Sequence, residues 1–245
     1  MLAAFGIERP DQIDLETIAW AGGAIVKYRA LDQCEAMIVG TQRRAIITVN
    51  SGSIPTRRRF SLAHEIGHWH HHRGRILFCG AADIGNPTHS ALDPENQADQ
   101  FASDLLLPDF MFRPRIMKMK RLVLSAVREM ANEFNVSLTA TLLKLVESDR
   151  FPLVVVCHNK QGRRWFRRAP MAPGWWFPKD DLDVESIAFE MLFGGAAEIS
   201  YARKIGAEAW FEFRGAERYE IQEQSFRLPN DEVLTLLILP AEGLG

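Results

Sequence analysis

The residues best suited to chemistry lie in the stretch 60–69, which reads Phe-Ser-Leu-Ala-His-Glu-Ile-Gly-His-Trp and contains the pattern His-Glu-x-x-His. In a helix, side chains four positions apart share one face, so His64 and His68 can direct two imidazoles at one metal ion. The carboxylate of Glu65 can reach a water molecule on that metal. These are the parts of a zinc peptidase site. The pattern predicts metal-dependent peptide hydrolysis; the alternative is an exposed helix whose polar side chains only face water.

A catalytic zinc site needs a third protein ligand, and a second helix downstream offers one. Asp93 and Pro94 are typical of the N-cap and the first residue of a helix. Glu95 then lies in the first turn, and Asp99 lies one turn later on the same face. We predict that Glu95 binds the metal and that Asp99 accepts a hydrogen bond from His64, which fixes the tautomer of that imidazole. Alternatively, both acids only complement the N-terminal end of the helix.

Two segments carry a resemblance to a known family. Residues 58–69 (Arg-Arg-Phe-Ser-Leu-Ala-His-Glu-Ile-Gly-His-Trp) and 95–108 (Glu-Asn-Gln-Ala-Asp-Gln-Phe-Ala-Ser-Asp-Leu-Leu-Leu-Pro) resemble the motifs of the ImmA/IrrE metallopeptidases. A weaker similarity continues through 131–140, so the resemblance covers residues 10 to 148. The departures from the family pattern, none at a proposed ligand, are Ser61, Asp104 and Leu107.

The resemblance implies a zincin-like, gluzincin-type site in which His64, His68 and Glu95 bind Zn²⁺, or Mn²⁺, and Glu65 is the general base. Members of the family typically cleave a helix-turn-helix repressor of the XRE type at one specific bond. They thereby switch on DNA-damage, phage, stress or defence genes. Some members carry a C-terminal GAF-like sensor domain, and this chain resembles that longer IrrE-like and CapP-like type.

Composition indicates an ordinary globular protein. The chain has 245 residues, of which 47% are hydrophobic and 24% charged, a size that suits two modest domains. The net charge of −2 gives no reason to expect bulk nucleic-acid binding. We found no signal peptide and no apolar run of about 18 residues, so no membrane partner is expected. The 3 cysteines are odd in number and widely separated, which favours a reducing cytoplasm.

The pattern of elements predicts an α+β chain with two domains. The first, residues 1–148, is the zincin-like metallopeptidase domain, with a helical extension at 120–148 that resembles a helix-turn-helix. The second, residues 149–245, is a smaller, strand-rich α+β domain, and its GAF-like character follows from the resemblance alone. The periodicity predicts helices at 11–22, 57–72, 95–107, 120–134, 137–146 and 183–193, and strands at 24–29, 35–39, 45–49, 153–157, 164–168, 210–213, 219–224 and 233–239.

A basic hairpin in the second domain is a candidate surface for single-stranded DNA, the activator that we expect. Cationic side chains neutralise phosphates, and aromatic rings stack on unpaired bases. The alternative is a hairpin whose arginines are solvated while its aromatic residues pack inward. The residues concerned are Arg163, Arg164, Trp165, Arg167 and Arg168.

Three further residues could influence the metal site. Cys79 lies between the second and third ligands, and its thiolate could occupy the water position and hold the enzyme latent. Its alternative role is that of a small buried apolar residue. His72 lies one helical turn beyond His68 and could touch the site, although with three ligands already assigned the alternative is a solvated helix end. His89 could donate a hydrogen bond to a developing oxyanion.

Two other classes of function remain open from the sequence. One is a non-proteolytic transcriptional regulator that uses its metal or DNA site for sensing. The other is direct DNA binding through residues 120–146 as a helix-turn-helix, which is weakened because the second helix carries only Lys144 as a basic residue. The sequence predicts neither the scissile bond nor the oligomeric state.

Overall fold

The computed structural model describes residues 2–73, 77–80, 93–195 and 198–244; for 77–80 it describes the strand only. The mixed α+β class and the strand-rich C-terminal region are confirmed. The helices of the described part are α1 Leu15–Ala21, α2 Pro55–His71, α3 Pro94–Leu106, α4 Asp109–Lys118, α5 Leu124–Phe134, α6 Leu138–Glu147 and α7 Ile187–Phe193. Its strands are β1 Ala24–Arg29, β2 Cys34–Gly40, β3 Ala45–Asn50, β4 Leu77–Gly80, β5 Leu153–Asn159, β6 Gly162–Arg168, β7 Arg203–Gly206, β8 Glu220–Leu228 and β9 Glu232–Ile238.

The chain divides into two compact units, each of which consists of two chain segments. One comprises Met1–Arg115 with Arg128–Thr141, and the other Ile116–Val127 with Leu142–Gly245. The division between residues 148 and 149 stays a prediction. No helix within the described ranges combines the length and apolar composition that a membrane span requires.

The first unit is built on a four-stranded sheet of order β1-β3-β2-β4. β1 is parallel to β3, and the other pairs are antiparallel. In β3, Ala45, Ile47 and Val49 are buried while Ile46 is exposed, which is the alternation of a sheet covered on one face. Helix α2 packs against β2 and β3.

Helix α2 carries the His-Glu-x-x-His pattern through the interior of the first unit. Pro55 occupies its first turn, and every residue from 61 to 69 is buried. The indole N–H of Trp69 donates to the carbonyl of Gly22 at 2.8 Å, which anchors the helix near its C-terminal end. The alternative of an exposed helix facing water is therefore wrong.

Close contact between α2 and α3 requires a glycine on α2. A Cβ atom built on Gly67 would lie 3.1 Å from the Cα and the carbonyl oxygen of Ala98 and 3.1 Å from the Cβ of Phe101. Gly67 thus lets the two backbones approach, which explains a residue that costs about 1 kcal/mol relative to Ala within a helix. The approach places the first turn of α3, and hence Glu95, beside the histidines of α2.

We expect Gly67→Val to force α2 and α3 apart. Overpacking of this kind costs about 1–3 kcal/mol, and the displacement would also weaken metal binding by moving Glu95. Urea unfolding and a zinc titration measure the two effects. Gly174→Val is the control because a Cβ at Gly174 would meet no heavy atom within 4 Å. Unchanged stability and metal affinity in Gly67→Val would contradict the packing argument.

The second unit is a five-stranded antiparallel sheet of order β6-β5-β9-β8-β7. Residues of the central strands β5 and β9 are buried on both faces, so these strands show continuous apolar runs. Helix α7 packs on β8 and β9, and buried Glu223 accepts the backbone N–H groups of Ile187 (2.7 Å) and Ala188 (3.2 Å) at its start.

Three elements differ from the sequence prediction. Strand β4 and helix α4, which follows Pro108, both lie where no helix or strand was predicted. The predicted strand at 210–213 is wrong. Trp210 and Phe211 follow a 3-10 turn, Ala207–Ala209, and are both buried in the core of the unit. Their apolar character therefore reflects a turn that packs inward. The strand that precedes this turn in the chain is β7.

Buried His158 makes the second unit sensitive to acid. Its ring packs edge-on against Trp210, with centroids 5.6 Å apart, and burial lowers the pKa of His158 to about 4. The unfolded chain has a pKa of about 6.5 at this position and binds the proton more readily. The stabilisation is therefore present above pH 6.5 and is lost as the pH falls towards 4.

We expect roughly 2–3 kcal/mol of the unfolding free energy to be lost between pH 7.5 and pH 4.5 through His158 alone. His158→Phe should remove this part of the pH dependence, as measured by urea unfolding at the two pH values. His71→Asn, a change at an exposed histidine, is the control. An identical acid response in wild type and His158→Phe would contradict the assignment.

Candidate metal centre

The structure brings three potential ligands, His64, His68 and Glu95, to one point. The Nε2 atoms of the two histidines lie 2.9 Å apart. The Oε2 atom of Glu95 lies 3.1 Å from Nε2 of His64 and 3.4 Å from Nε2 of His68. This cluster is the metal-binding group found among the described residues. The i and i+4 histidines come from α2, and the first turn of α3 supplies the carboxylate.

The spacing of these three atoms suits a tetrahedral metal. Metal–nitrogen bonds of about 2.0–2.1 Å at tetrahedral angles separate neighbouring ligand atoms by about 3.3–3.4 Å. The observed separations of 2.9–3.4 Å are equal to or slightly shorter than this. Two imidazole nitrogens and a carboxylate oxygen form the ligand set of a catalytic site, which keeps a further position open. The residues therefore fit the metal that the sequence predicts.

Burial differs among the three ligands in a way that suits substrate access. The side chains of His64 and His68 are fully buried, whereas that of Glu95 is 20% exposed. The centre thus has a closed side, formed by α2, and an open side at the start of α3. Asp93 caps α3 by accepting the backbone N–H of Glu95 at 3.0 Å, which holds the first turn in place.

Asp99 contacts the far nitrogen of His64. Its Oδ1 lies 2.8 Å from Nδ1 of His64, so a proton on Nδ1 is donated to the carboxylate and the lone pair of Nε2 faces the other ligands. Burial alone would lower the pKa of His64, but its hydrogen bonds with Asp99 and Glu95 raise the pKa to about 9. The same two histidines hold the pKa of Glu95 well below its usual range, against the opposing effect of burial. Glu95 is therefore an ionised ligand at any physiological pH.

We expect Asp99→Asn to weaken zinc binding by about 10–100-fold, because partners that orient a ligating histidine have effects of this size. The amide is neutral and can no longer enforce the tautomer of His64. A competition titration with a chromophoric chelator measures the affinity. Asp104→Asn, on the same helix, is the control, and an equal loss in both variants would show that the effect is not specific to the hydrogen bond.

Glu65 lies within the buried part of α2, directly after the first histidine. Its negative charge contributes to raising the pKa of His64. It also contributes, after burial, to raising the pKa of the Cys34 thiol at the start of β2. The proximity of Cys34 to Glu65 has no signal in the sequence, since it depends on the packing of α2 against β2.

Two predicted site residues lie outside what the structure describes. The backbone of Cys79 is in β4, opposite Ala36 of β2, but its side chain is outside the described part. His89 is outside the described residues altogether. The inhibitory role of Cys79 and the oxyanion role of His89 stay predictions.

The arginines of the predicted DNA-binding hairpin mostly engage groups of the protein itself. The guanidinium of Arg163 lies 5.2 Å from the ring centre of Phe166 and 4.6 Å from that of Phe177. Arg164 pairs with Glu232 at 3.6 Å, and Arg168 donates to a backbone carbonyl.

The hairpin residues also divide between the two faces of the sheet. The register sets Trp165 opposite Cys157 and Phe166 opposite Val156, so adjacent residues of β6 point to opposite faces. Arg167 shares a face with Trp165, and burial lowers its pKa. The structure therefore does not bring the predicted residues to one surface.

The second helix of the helix-turn-helix-like segment presents little for DNA to bind. Lys144 is 6% exposed, and its ammonium group lies 3.8 Å from the carboxylate of Glu147. A phosphate contact needs an accessible cation. The buried Lys144 weakens the hypothesis of direct DNA recognition by this helix.

Comparison with known proteins identifies a family and solved structures of similar fold. The family model for the IrrE N-terminal-like domain, peptidase M78, matches residues 11–146. A search of curated proteins found no match. Among solved structures, a Mycobacterium tuberculosis transcriptional regulator aligns over 99% of this chain and 86% of its own, with a TM-score of 0.62 and 14% identity. At that identity the similarity shows a shared fold.

Proposed function

Since this chain belongs to the IrrE N-terminal-like family of M78 peptidases, we propose that it is a zinc-dependent endopeptidase that cleaves a helix-turn-helix repressor at one bond. Family membership by itself indicates a metal-dependent protease or regulator. The observation that favours the protease is the convergence of His64, His68 and Glu95 together with a buried carboxylate, Glu65, whose charge acts on His64. A metal site used only for sensing has no need of that carboxylate.

The proposed reaction is hydrolysis of a peptide bond. When bound, zinc would supply a Lewis acid that polarises the scissile carbonyl and lowers the pKa of a water molecule. Glu65 accepts the proton of that water at its carboxylate and delivers it to the leaving amide nitrogen. The C–N bond breaks, a C–O bond forms, and Glu65 ends the cycle ionised, as it began.

The buried face of the centre contributes by fixing its parts before substrate arrives. Asp99 orients His64, and Gly67 lets α3 approach closely enough to present Glu95. Groups that are fixed in advance lose little free energy to reorganisation during the reaction. The partly exposed carboxylate of Glu95 marks the side from which we propose that the substrate enters.

The proposed substrate is an XRE-type repressor, because this is the substrate class that the family resemblance implies. The experiment incubates zinc-loaded protein with the repressor encoded beside its gene and measures the intact masses of the products. Two fragments that sum to the repressor plus one water, absent with Glu65→Gln, support the proposal. Stoichiometric zinc without cleavage would instead favour the non-proteolytic transcriptional regulator.

Activation by single-stranded DNA is a second candidate property of the C-terminal unit. The observation that favours it is a pair of exposed rings, Trp175 (48%) and Phe177 (52%), in the loop that follows β6. Arg168 donates to the carbonyl of Gly174, next to Trp175, at 3.0 Å. Exposed aromatic rings beside cations suit the stacking and charge neutralisation of an unpaired strand. These rings, rather than Trp165, are the proposed contacts.

Fluorescence anisotropy with a labelled oligothymidine tests the DNA hypothesis. Trp175→Ala is expected to weaken binding by about 1–3 kcal/mol, the contribution of one stacked base. Tyr201→Ala is the control, because Tyr201 is a 92% exposed aromatic residue elsewhere in the same unit. Equal binding by the two variants, or no binding by wild type at low salt, would reject this activator.

A further inference from the structure

The ring of His72 contacts the ring of His68, and this contact has no role in the mechanism proposed above. The Nδ1 atoms of the two rings are 3.3 Å apart, and the ring centroids lie 5.5 Å apart. The backbone N–H of His72 also donates to the carbonyl oxygen of His68 at 2.7 Å, where α2 ends. His72 is therefore held one turn beyond the ligand by its backbone, with its ring directed back at the ligand's ring.

The nitrogen atoms of His68 determine the direction of this hydrogen bond. Its Nε2 faces Nε2 of His64 at 2.9 Å and Oε2 of Glu95 at 3.4 Å, so Nε2 must offer a lone pair if it binds the metal. A neutral imidazole then carries its proton on Nδ1, and this proton needs an acceptor. In the part of the chain that the structure describes, Nδ1 of His72 lies within reach at 3.3 Å. It can accept only when the proton of His72 is on its own Nε2.

We propose that His72 is a positioning residue of the metal centre: its neutral imidazole accepts the Nδ1 proton of His68 and thereby fixes the tautomer and the ring angle of that ligand. His72 thus does for His68 what Asp99 does for His64. The inference rests on the proposed function, because it assumes a divalent cation held by His64, His68 and Glu95.

The two supports differ in charge, and this difference has a chemical consequence. A carboxylate supports His64, whereas a neutral ring supports His68. A neutral acceptor makes the donating imidazole less basic than a carboxylate does. A neutral support adds no negative charge to that of the carboxylates Glu95, Asp99 and Glu65, and so would leave the cation a stronger Lewis acid than a second carboxylate support would.

Substitutions at His72 test the positioning role through metal binding. His72→Phe keeps a ring of similar size but has no acceptor, and His72→Asn can place its Oδ1 close to where Nδ1 lies. Zinc affinity is measured by chelator competition on the full chain, and the Co²⁺ absorption spectrum reports the ligand geometry. We expect His72→Phe to bind zinc about 10–100-fold more weakly and to alter the Co²⁺ bands. His72→Asn should recover most of the affinity.

The control is His71→Phe, one residue earlier on α2, where the ring packs against Phe101 with centroids 5.7 Å apart. It should bind zinc and Co²⁺ as wild type does. Wild-type affinity in His72→Phe would overturn the inference, and so would an equal loss in His72→Asn and His72→Phe. In both cases zinc bound by the wild type would leave the proposed function intact, whereas a wild type that binds no zinc would defeat the proposed function itself.

A measurement on the wild type keeps the inference testable if the variants fail to fold. In zinc-loaded protein with ¹⁵N-labelled histidine, NMR assigns the proton of each ring nitrogen. We expect His72 as the Nε2–H tautomer and His68 with its proton on Nδ1. A His72 that carries its proton on Nδ1 cannot accept from His68 and would overturn the inference.

Discussion

Glu65→Gln is expected to lower the rate of repressor cleavage by about 10²–10⁴-fold, the range that general acid–base catalysis contributes. The amide has nearly the volume of the carboxylate, so the fully buried position creates no cavity. It cannot accept the proton of the attacking water. Since Glu65 is not among the three converging ligands, zinc should remain bound at one equivalent per chain.

Single-turnover cleavage and the zinc content of the purified protein measure the two parts of this prediction. Glu129→Gln, an exposed position on α5, is the matched control and should cleave as wild type does. Cleavage that survives in Glu65→Gln would remove this residue from the mechanism. Loss of zinc in the same variant would instead indicate that Glu65 helps to hold the metal.

Glu95→Gln is expected to weaken zinc binding by about 10²–10³-fold. Structural zinc sites bind with roughly 10–16 kcal/mol shared among four ligands, so one ligand contributes about 2.5–4 kcal/mol. The observed hydrogen bonds hold the pKa of Glu95 low, so the wild-type carboxylate binds without first releasing a proton. A neutral amide oxygen is a poorer ligand and leaves more positive charge uncompensated.

Chelator competition and activity at fixed free zinc test the role of Glu95. The loss of activity should be largely restored by excess zinc, because Glu65 and both histidines remain. That recovery separates a ligand from a residue that acts in the chemical step, and Glu65→Gln should show no such recovery. An unchanged zinc affinity in Glu95→Gln would mean that another group supplies the third ligand.

The sequence predicted the residues that converge because their relation is mostly local. The two histidines share a face through the periodicity of one helix, and Glu95 is set by the signals that start the next helix. The contact between those helices is not local, but Gly67 inside α2 gave a signal for it. The backbone of Ala98 lies where the side chain of a larger residue at position 67 would be. The close approach of the α3 backbone thus explains this glycine.

The features that were not predicted from the sequence depend on contacts between residues that are far apart in the chain. The pairing of β4 with β2, and the proximity of Cys34 to Glu65, arise from the packing of the first unit. The candidate DNA-binding residues of β6 were grouped by residue type alone, whereas the alternation of side chains along a strand divides them between its two faces. In the same way, the apolar residues after β7 pack inward from a turn, and no alternation in the sequence distinguishes such a turn from a strand.

A zinc titration of repressor cleavage tests the central claim most directly. The protein is stripped with a chelator, zinc is returned in fractions of an equivalent, and the cleaved fraction is read by intact mass for wild type and Glu65→Gln. We expect cleavage at one bond, activity that rises linearly to one zinc per chain, and a rate with Glu65→Gln that stays about 10²–10⁴-fold below that of the wild type at every zinc level. Cleavage by the stripped protein, or by zinc-loaded Glu65→Gln at the wild-type rate, would contradict it.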